Sequence, residues 1–152
     1  MKHFKLINFI IFLFIIGCGY SPIYTSIDSK DFNINIISTK GSSEINNLLI
    51  SKLEVYKDKK SDKNFNVNMI SIYEKKILSK DEKGNATNYR LALDVKINTK
   101  INNENIELNY KETFDMKKQS DVFEEEKYEK LIINNMISSI VRKLTNKLNQ
   151  LK

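Results

Sequence analysis

The chain of 152 residues holds one cysteine, Cys18, and one histidine, His3. A lone thiol cannot close an intramolecular disulfide, and it has no second cysteine with which to share a metal site. His3 lies in the first few residues, so removal of an N-terminal leader leaves a domain with no histidine at all. Histidine-dependent catalysis and His/Cys metal sites are then excluded together. Neither a Ser-x-x-Lys nor a Gly-x-Ser-x-Gly sequence is present, so neither of these serine-nucleophile signatures supports a hydrolase. Glu124, Glu125 and Glu126 read as the acidic start of a helix, not as carboxylates facing across a cleft. The sequence is therefore not expected to be an enzyme, and no cofactor is expected. Long apolar runs are scarce as well. Leu6 to Ile16, interrupted by Asn8, falls short of the roughly 20 residues that span a bilayer.

That short run is nonetheless informative where it stands. Lys2 and Lys5 precede it, which gives the basic n-region and apolar h-region of an export signal. It leads into Ile15-Ile16-Gly17-Cys18, which resembles the bacterial lipobox, departing from it at Ile16, where a small residue is usual. The residues divide as a signal peptide over 1–17, a lipidated tether over 18–30 and a single domain over 31–152. Cys18 is the lipid attachment site in this reading: its thiol takes a diacylglyceryl group and its freed amine a further acyl chain. Each buried methylene adds about 0.8 kcal/mol, so two or three chains anchor where one only dwells. An ordinary secretory signal with a chance cysteine, or a short uncleaved anchor, are the other readings of these residues. Gly19 stands where Asp would favour retention in the inner membrane, which points to the outer one.

Loss of residues 1–17 removes two lysines and no acids, which lowers the formal charge from +6 to +4. The remaining cations are interspersed with acids, as in Lys57-Asp58-Lys59-Lys60, and read first as solvated faces. Attraction to anionic phosphates is the functional alternative. No base-stacking motif is present, and export argues further against nucleic acid.

In the tether, Pro22 blocks regular structure. Phe32, Ile34 and Ile36 then alternate with asparagines as in a half-buried strand. Gly41 to Glu44 supply a break, an N-cap candidate and a first-turn acid, and Ile45, Leu48, Leu49, Leu53 and Tyr56 predict a helix over 43–56. Lys57 to Lys63 form a polar turn. Phe65, Val67 and Met69 open a second strand whose phase slips at Ile70 and Ile72, which predicts a bulge or a strand covered on both faces, and whose pattern fades towards Lys80. Asp81 to Asn85 form a turn. Tyr89, Leu91, Leu93, Val95 and Ile97 alternate without error. Asn102-Asn103 suit a tight hairpin turn. Ile106, Leu108 and Tyr110 continue one face, with Phe114 read as out of phase. From Asp121 the period becomes helical, with Ile133, Ile137, Ile140, Leu144, Leu148 and Leu151 on one stripe widened by Ile132, Met136 and Val141. The order β-α-β-β-β-α predicts an α+β two-layer sandwich, two helices packed on one face of a four-stranded, mostly antiparallel sheet.

These motifs together resemble the LptE (RlpB) family of lipopolysaccharide-assembly lipoproteins. The resemblance rests on Gly17-Cys18-Gly19-Tyr20-Ser21-Pro22-Ile23-Tyr24, on Gly84-Asn85-Ala86-Thr87-Asn88-Tyr89-Arg90-Leu91 entering a strand, and on the last helix ending Ile140-Val141-Arg142-Lys143-Leu144. It implies an outer-membrane lipoprotein on the periplasmic side that plugs the LptD β-barrel, assists its assembly and binds lipopolysaccharide. Lys80, Lys83 and Arg90 are the candidate contacts to its phosphates, with solvated surface charge as the plain alternative. Tyr89 reads as a packing residue. Another outer-membrane lipoprotein acting as a barrel-assembly accessory, or a periplasmic lipid-binding module, would share the signal and the fold.

Overall fold

The computed structural model describes residues 32–57, 61, 63–101 and 104–151. Its elements are β1 (Phe32–Gly41), α1 (Ser43–Leu53) with a 3-10 turn at Glu54–Tyr56, β2 (Lys63–Lys80), β3 (Ala86–Ile101), β4 (Glu104–Lys117) and α2 (Val122–Gln150). The signal, the tether and Cys18 lie outside the described residues, as do most of the polar turn after Tyr56 and the Asn102-Asn103 pair.

The strands lie in the order β1-β2-β3-β4. β1 runs parallel to β2, with α1 in the connection between them, and β2, β3 and β4 form the antiparallel meander that their alternation predicts. Direct pairing of Ile101 with Glu104 closes the last hairpin. Both helices bury their apolar stripes on the same face of the sheet. Phe32, Ile34, Phe65, Val67, Met69, Leu91, Leu93, Val95 and Ile97 meet Ile45, Leu49 and Leu53 of α1 and Ile133, Ile137, Ile140, Leu144 and Leu148 of α2 in one core. The predicted α+β sandwich is the observed one.

Local chemistry sets the boundaries. Gly41 ends β1 at φ +93, a backbone conformation open to glycine and costly for other residues. Ser42 Oγ then caps α1 by accepting from the Ile45 amide at 3.5 Å. The regular helix stops at Leu53, three residues before the predicted end, and Tyr56 is still buried because the chain tightens into the 3-10 turn and stacks its ring on Phe32. Asp121 caps α2 by accepting from the Glu124 amide at 3.0 Å.

Two strand features differ from their expectation. No bulge occurs at the slip of β2: Met69, Ile70, Ser71 and Ile72 pair in unbroken register with Ile97, Lys96, Val95 and Asp94. The core-facing position passes instead to Ser71, fully buried, while Ile72 is turned outward and 53% exposed. Ser71 is tolerated there because its hydroxyl lies 2.9 Å from Asn46 Oδ1 and 3.3 Å from the Ser42 carbonyl, while Asn46 Nδ2 donates to the Lys40 carbonyl. The irregularities fall elsewhere, at Ile37 in β1 and between Ile77 and Lys80 at the far end of β2, which runs as strand to Lys80. Phe114 is in phase after all. It pairs with the core residue Leu91 on the helix side of β4 and is half exposed only because the helix does not fully cover the sheet edge.

Candidate functional site

The outer face of the sheet carries no helix, and many of its side chains bond one another. Near the start of β1, Asn33 donates to Asn64 at 2.9 Å, and Ser38 donates to Asn68 at 2.6 Å. Farther along, charges pair as Glu74 with Lys76, Arg90 with Asp115, Asp94 with Lys111 and Lys96 with Glu107. Exposed pairs contribute little to stability. Their consequence is electrostatic: four cations of this face, Lys76, Arg90, Lys96 and Lys111, carry their own counter-charge.

One end of the molecule gathers the β2–β3 turn and the β4–α2 connection. Asp81 organises the turn by accepting at Oδ1 from the amides of Lys83 and Asn85, at 2.9 and 2.8 Å, and at Oδ2 from Asn85 Nδ2. The Asn85 side-chain bond holds its carboxyl below the usual carboxylate range. Gly84, at φ +83, completes the turn. The Lys118 amide donates to the Thr87 carbonyl at 2.8 Å, which brings the β4–α2 connection against the same end.

The structure separates the three candidate cations. Lys80, paired with Ala86, and Lys83 in the turn sit at this end, exposed and without an ion pair among the described residues. Arg90 lies four residues farther along β3, about 13 Å away at ordinary strand rise. It is on the outer face, with Nε and Nη2 donating to Asp115 at 2.7 and 2.8 Å. Lys117 and Lys118 join Lys80 and Lys83, which sequence reasoning did not foresee. The signal was the β3–β4 register, which brings Lys117 opposite Asn88. Exposed apolar residues share this end: Ile77, Leu78, Val122 and Phe123. Cations beside apolar side chains suit an anionic amphiphile.

Behind the turn, a polar cluster ties β2 to α2 where the apolar core ends. Tyr73 donates to Glu129 at 2.5 Å, and Lys75 bridges Glu125 and Glu129 at 3.0 and 2.7 Å while its ammonium lies 4.3 Å from the Tyr89 ring centroid. Burial, then the bond to Glu129, raises the Tyr73 phenol well above its ordinary range. For Lys75, burial acts against the charged form, but the bonds to Glu129 and Glu125 outweigh it and hold the ammonium above its ordinary value. Tyr89 thus has the packing role that its position suggested. Among the described residues no three His, Cys, Asp or Glu side chains gather to hold a metal ion, and no helix is long and apolar enough to cross a membrane.

Comparison with known proteins bears on this arrangement. The family model described as LptE, "Lipopolysaccharide-assembly", matches residues 26–148. Among solved structures, the rare lipoprotein B from Shewanella oneidensis superposes with a TM-score of 0.57 at 15% identity, covering 76% of this chain and 95% of its own. An uncharacterized lipoprotein B from Nitrosomonas europaea gives a TM-score of 0.48 at 16% identity, covering 74% of this chain and 82% of its own. At such identities the first likeness concerns the fold alone. No curated protein matches the chain.

Proposed function

The chain belongs to the LptE lipopolysaccharide-assembly family, and from that premise we propose that it is the lipid-anchored plug of an LptD-like β-barrel in the outer membrane. The family is one of assembly lipoproteins without enzymatic activity, and the role proposed is positional. Acyl chains on Cys18 hold the domain at the periplasmic leaflet, and the folded domain stands in the barrel lumen and assists the assembly of its partner.

The observation that carries this reading is the uncovered outer face. Barrel lumens are polar, and a surface of asparagines and four exposed ion pairs meets such a wall with most of its charges already paired. An apolar or strongly charged face would not. Lipopolysaccharide contact belongs to the opposite kind of surface, the end carrying Lys80 and Lys83, where unpaired ammonium groups face lipid phosphates.

The test is co-purification. A tag beyond Lys152 on the chain in its own membranes, solubilised in detergent, is expected to recover one large β-barrel protein near one-to-one. Cys18→Ala is expected to lose the anchor and keep the contact. Recovery of no barrel from outer membranes that contain the lipidated protein would overturn the proposal.

A further inference from the structure

Along the seam between β4 and α2 the apolar side chains are only partly covered. β4 ends the sheet, so one side of its backbone has no strand partner among the described residues. A groove of about 390 Å³ runs beneath α2 along this edge, lined by Thr113 and Phe114 from the strand and Tyr128, Leu131, Ile132 and Met136 from the helix. Phe114, Tyr128 and Leu131 are still 40, 38 and 54% exposed. Clustered apolar side chains beside an unpaired strand edge mark a docking surface.

We propose that a second copy of this chain covers that surface, with β4 pairing antiparallel to its counterpart about a two-fold axis at Thr113. A two-fold interface must be self-complementary, because residue i meets j wherever j meets i. Centred on Thr113, β4 sets Lys111 opposite the partner's Asp115, Tyr110 opposite the partner's Met116, and Thr113 opposite the partner's Thr113. Within each chain Lys111 already faces Asp94, and Asp115 already faces Arg90, both in direct register. Pairing therefore extends two separate ion pairs into one row that alternates in sign: Asp94, Lys111, the partner's Asp115, the partner's Arg90. The symmetry produces the row twice. Opposite charges and threonine pairs are both favourable across strands. Glu112, which meets the partner's Phe114, is already drawn to the helix by Ser139 and Lys143 at 2.9 and 2.7 Å.

Neighbouring registers fail on the same criteria. An axis at Lys111 sets that lysine against its own copy and Glu107 against the partner's Asp115, and an axis at Asp115 opposes two aspartates. An axis at Asn109 matches Glu107 with the partner's Lys111 but leaves the groove around Thr113 uncentred. Of these registers, the Thr113 axis alone matches charge and closes the two grooves on each other. The product is a continuous sheet of eight strands, four from each copy, with all helices on one face. This pairing is a property of the protein outside its barrel and does not depend on the barrel reading.

Disulfide trapping tests it in the full-length lipidated chain in detergent. Directly opposed residues of antiparallel strands have Cα atoms about 4.5–5.5 Å apart, within disulfide reach. Thr113→Cys is expected to give a covalent dimer on oxidation. Lys111→Cys and Asp115→Cys are expected to remain monomeric separately and to cross-link when mixed. The unsubstituted chain reports any background from Cys18. Adding Leu131→Glu, at an exposed position whose change leaves the monomer folded, is expected to weaken dimerisation roughly tenfold by setting two acids in the closed groove. Trapping of Thr113→Cys no greater than that background overturns the proposal. So does Lys111→Cys cross-linking to itself as readily as Thr113→Cys, because the register is then another one.

Discussion

Gly41 is the residue with the least latitude in the structure, for two independent reasons. Its φ of +93 disfavours any side chain, and a Cβ added there would stand 1.8 Å from the Ser71 carbonyl oxygen. That oxygen also accepts from the Ser42 amide, so the strand cannot move aside without breaking the turn into α1. Gly41→Ala is expected to cost upwards of about 2 kcal/mol, read as a lowered midpoint in thermal or denaturant unfolding; a change within experimental error would show that the turn has another conformation. Glu112 gives the pH-dependent counterpart. Burial alone would raise its pKa, but hydrogen bonds from Lys143 and Ser139 prevail and lower it. A carboxyl lowered on folding adds stability above its unfolded-state pKa and loses it as pH falls through the folded one. Glu112→Gln is therefore expected to be less stable than the natural chain at neutral pH, with the gap closing as the solution is acidified. A constant gap across that range would assign the difference to packing.

Among the elements, α2 contributes the longest continuous stripe to the core, with Ile137, Ile140 and Leu148 fully buried. Ile137→Ala is expected to cost about 2–5 kcal/mol because its cavity would lie between helix and sheet. Asp121→Ala, which removes only the cap, is expected to cost about 1 kcal/mol. Equal losses for the two in denaturant titrations would contradict that placing of Ile137. This helix, like β3, was legible in the sequence because one period ran through it without interruption. β2 was not, because a local pattern cannot show that Ser71 has Asn46 and Ser42 waiting for its hydroxyl 25 and 29 residues away. The same limit applies to the cations. Lys80 and Lys83 can be singled out from the turn they flank, whereas Lys117 and Lys118 reach that end only through the β3–β4 pairing, and the engagement of Arg90 by Asp115 is a tertiary fact.

For the whole molecule, charge is distributed so that its faces differ in what they attract. On the outer sheet face Lys76, Arg90, Lys96 and Lys111 each have an acid, so their field falls away within a short distance. At the hairpin end Lys80 and Lys83 have none among the described residues, and exposed Val122 and Phe123 stand at the same end. An anionic glycolipid is thus expected to engage the hairpin end through phosphates and acyl chains together. Replacing Lys80 and Lys83 jointly by Ser should weaken binding of purified lipopolysaccharide about tenfold at low salt, whereas Arg90→Ser should change it little, because Arg90 is already committed to Asp115. Raising ionic strength shortens the reach of the free charges to about 8 Å at physiological salt and less beyond it, so the joint variant and the natural chain should converge there, with the apolar part of the affinity remaining. Arg90→Ser weakening binding as much as the joint change would mean that the outer face, not the hairpin end, meets the glycolipid, and the barrel wall would then have to lie against the helices.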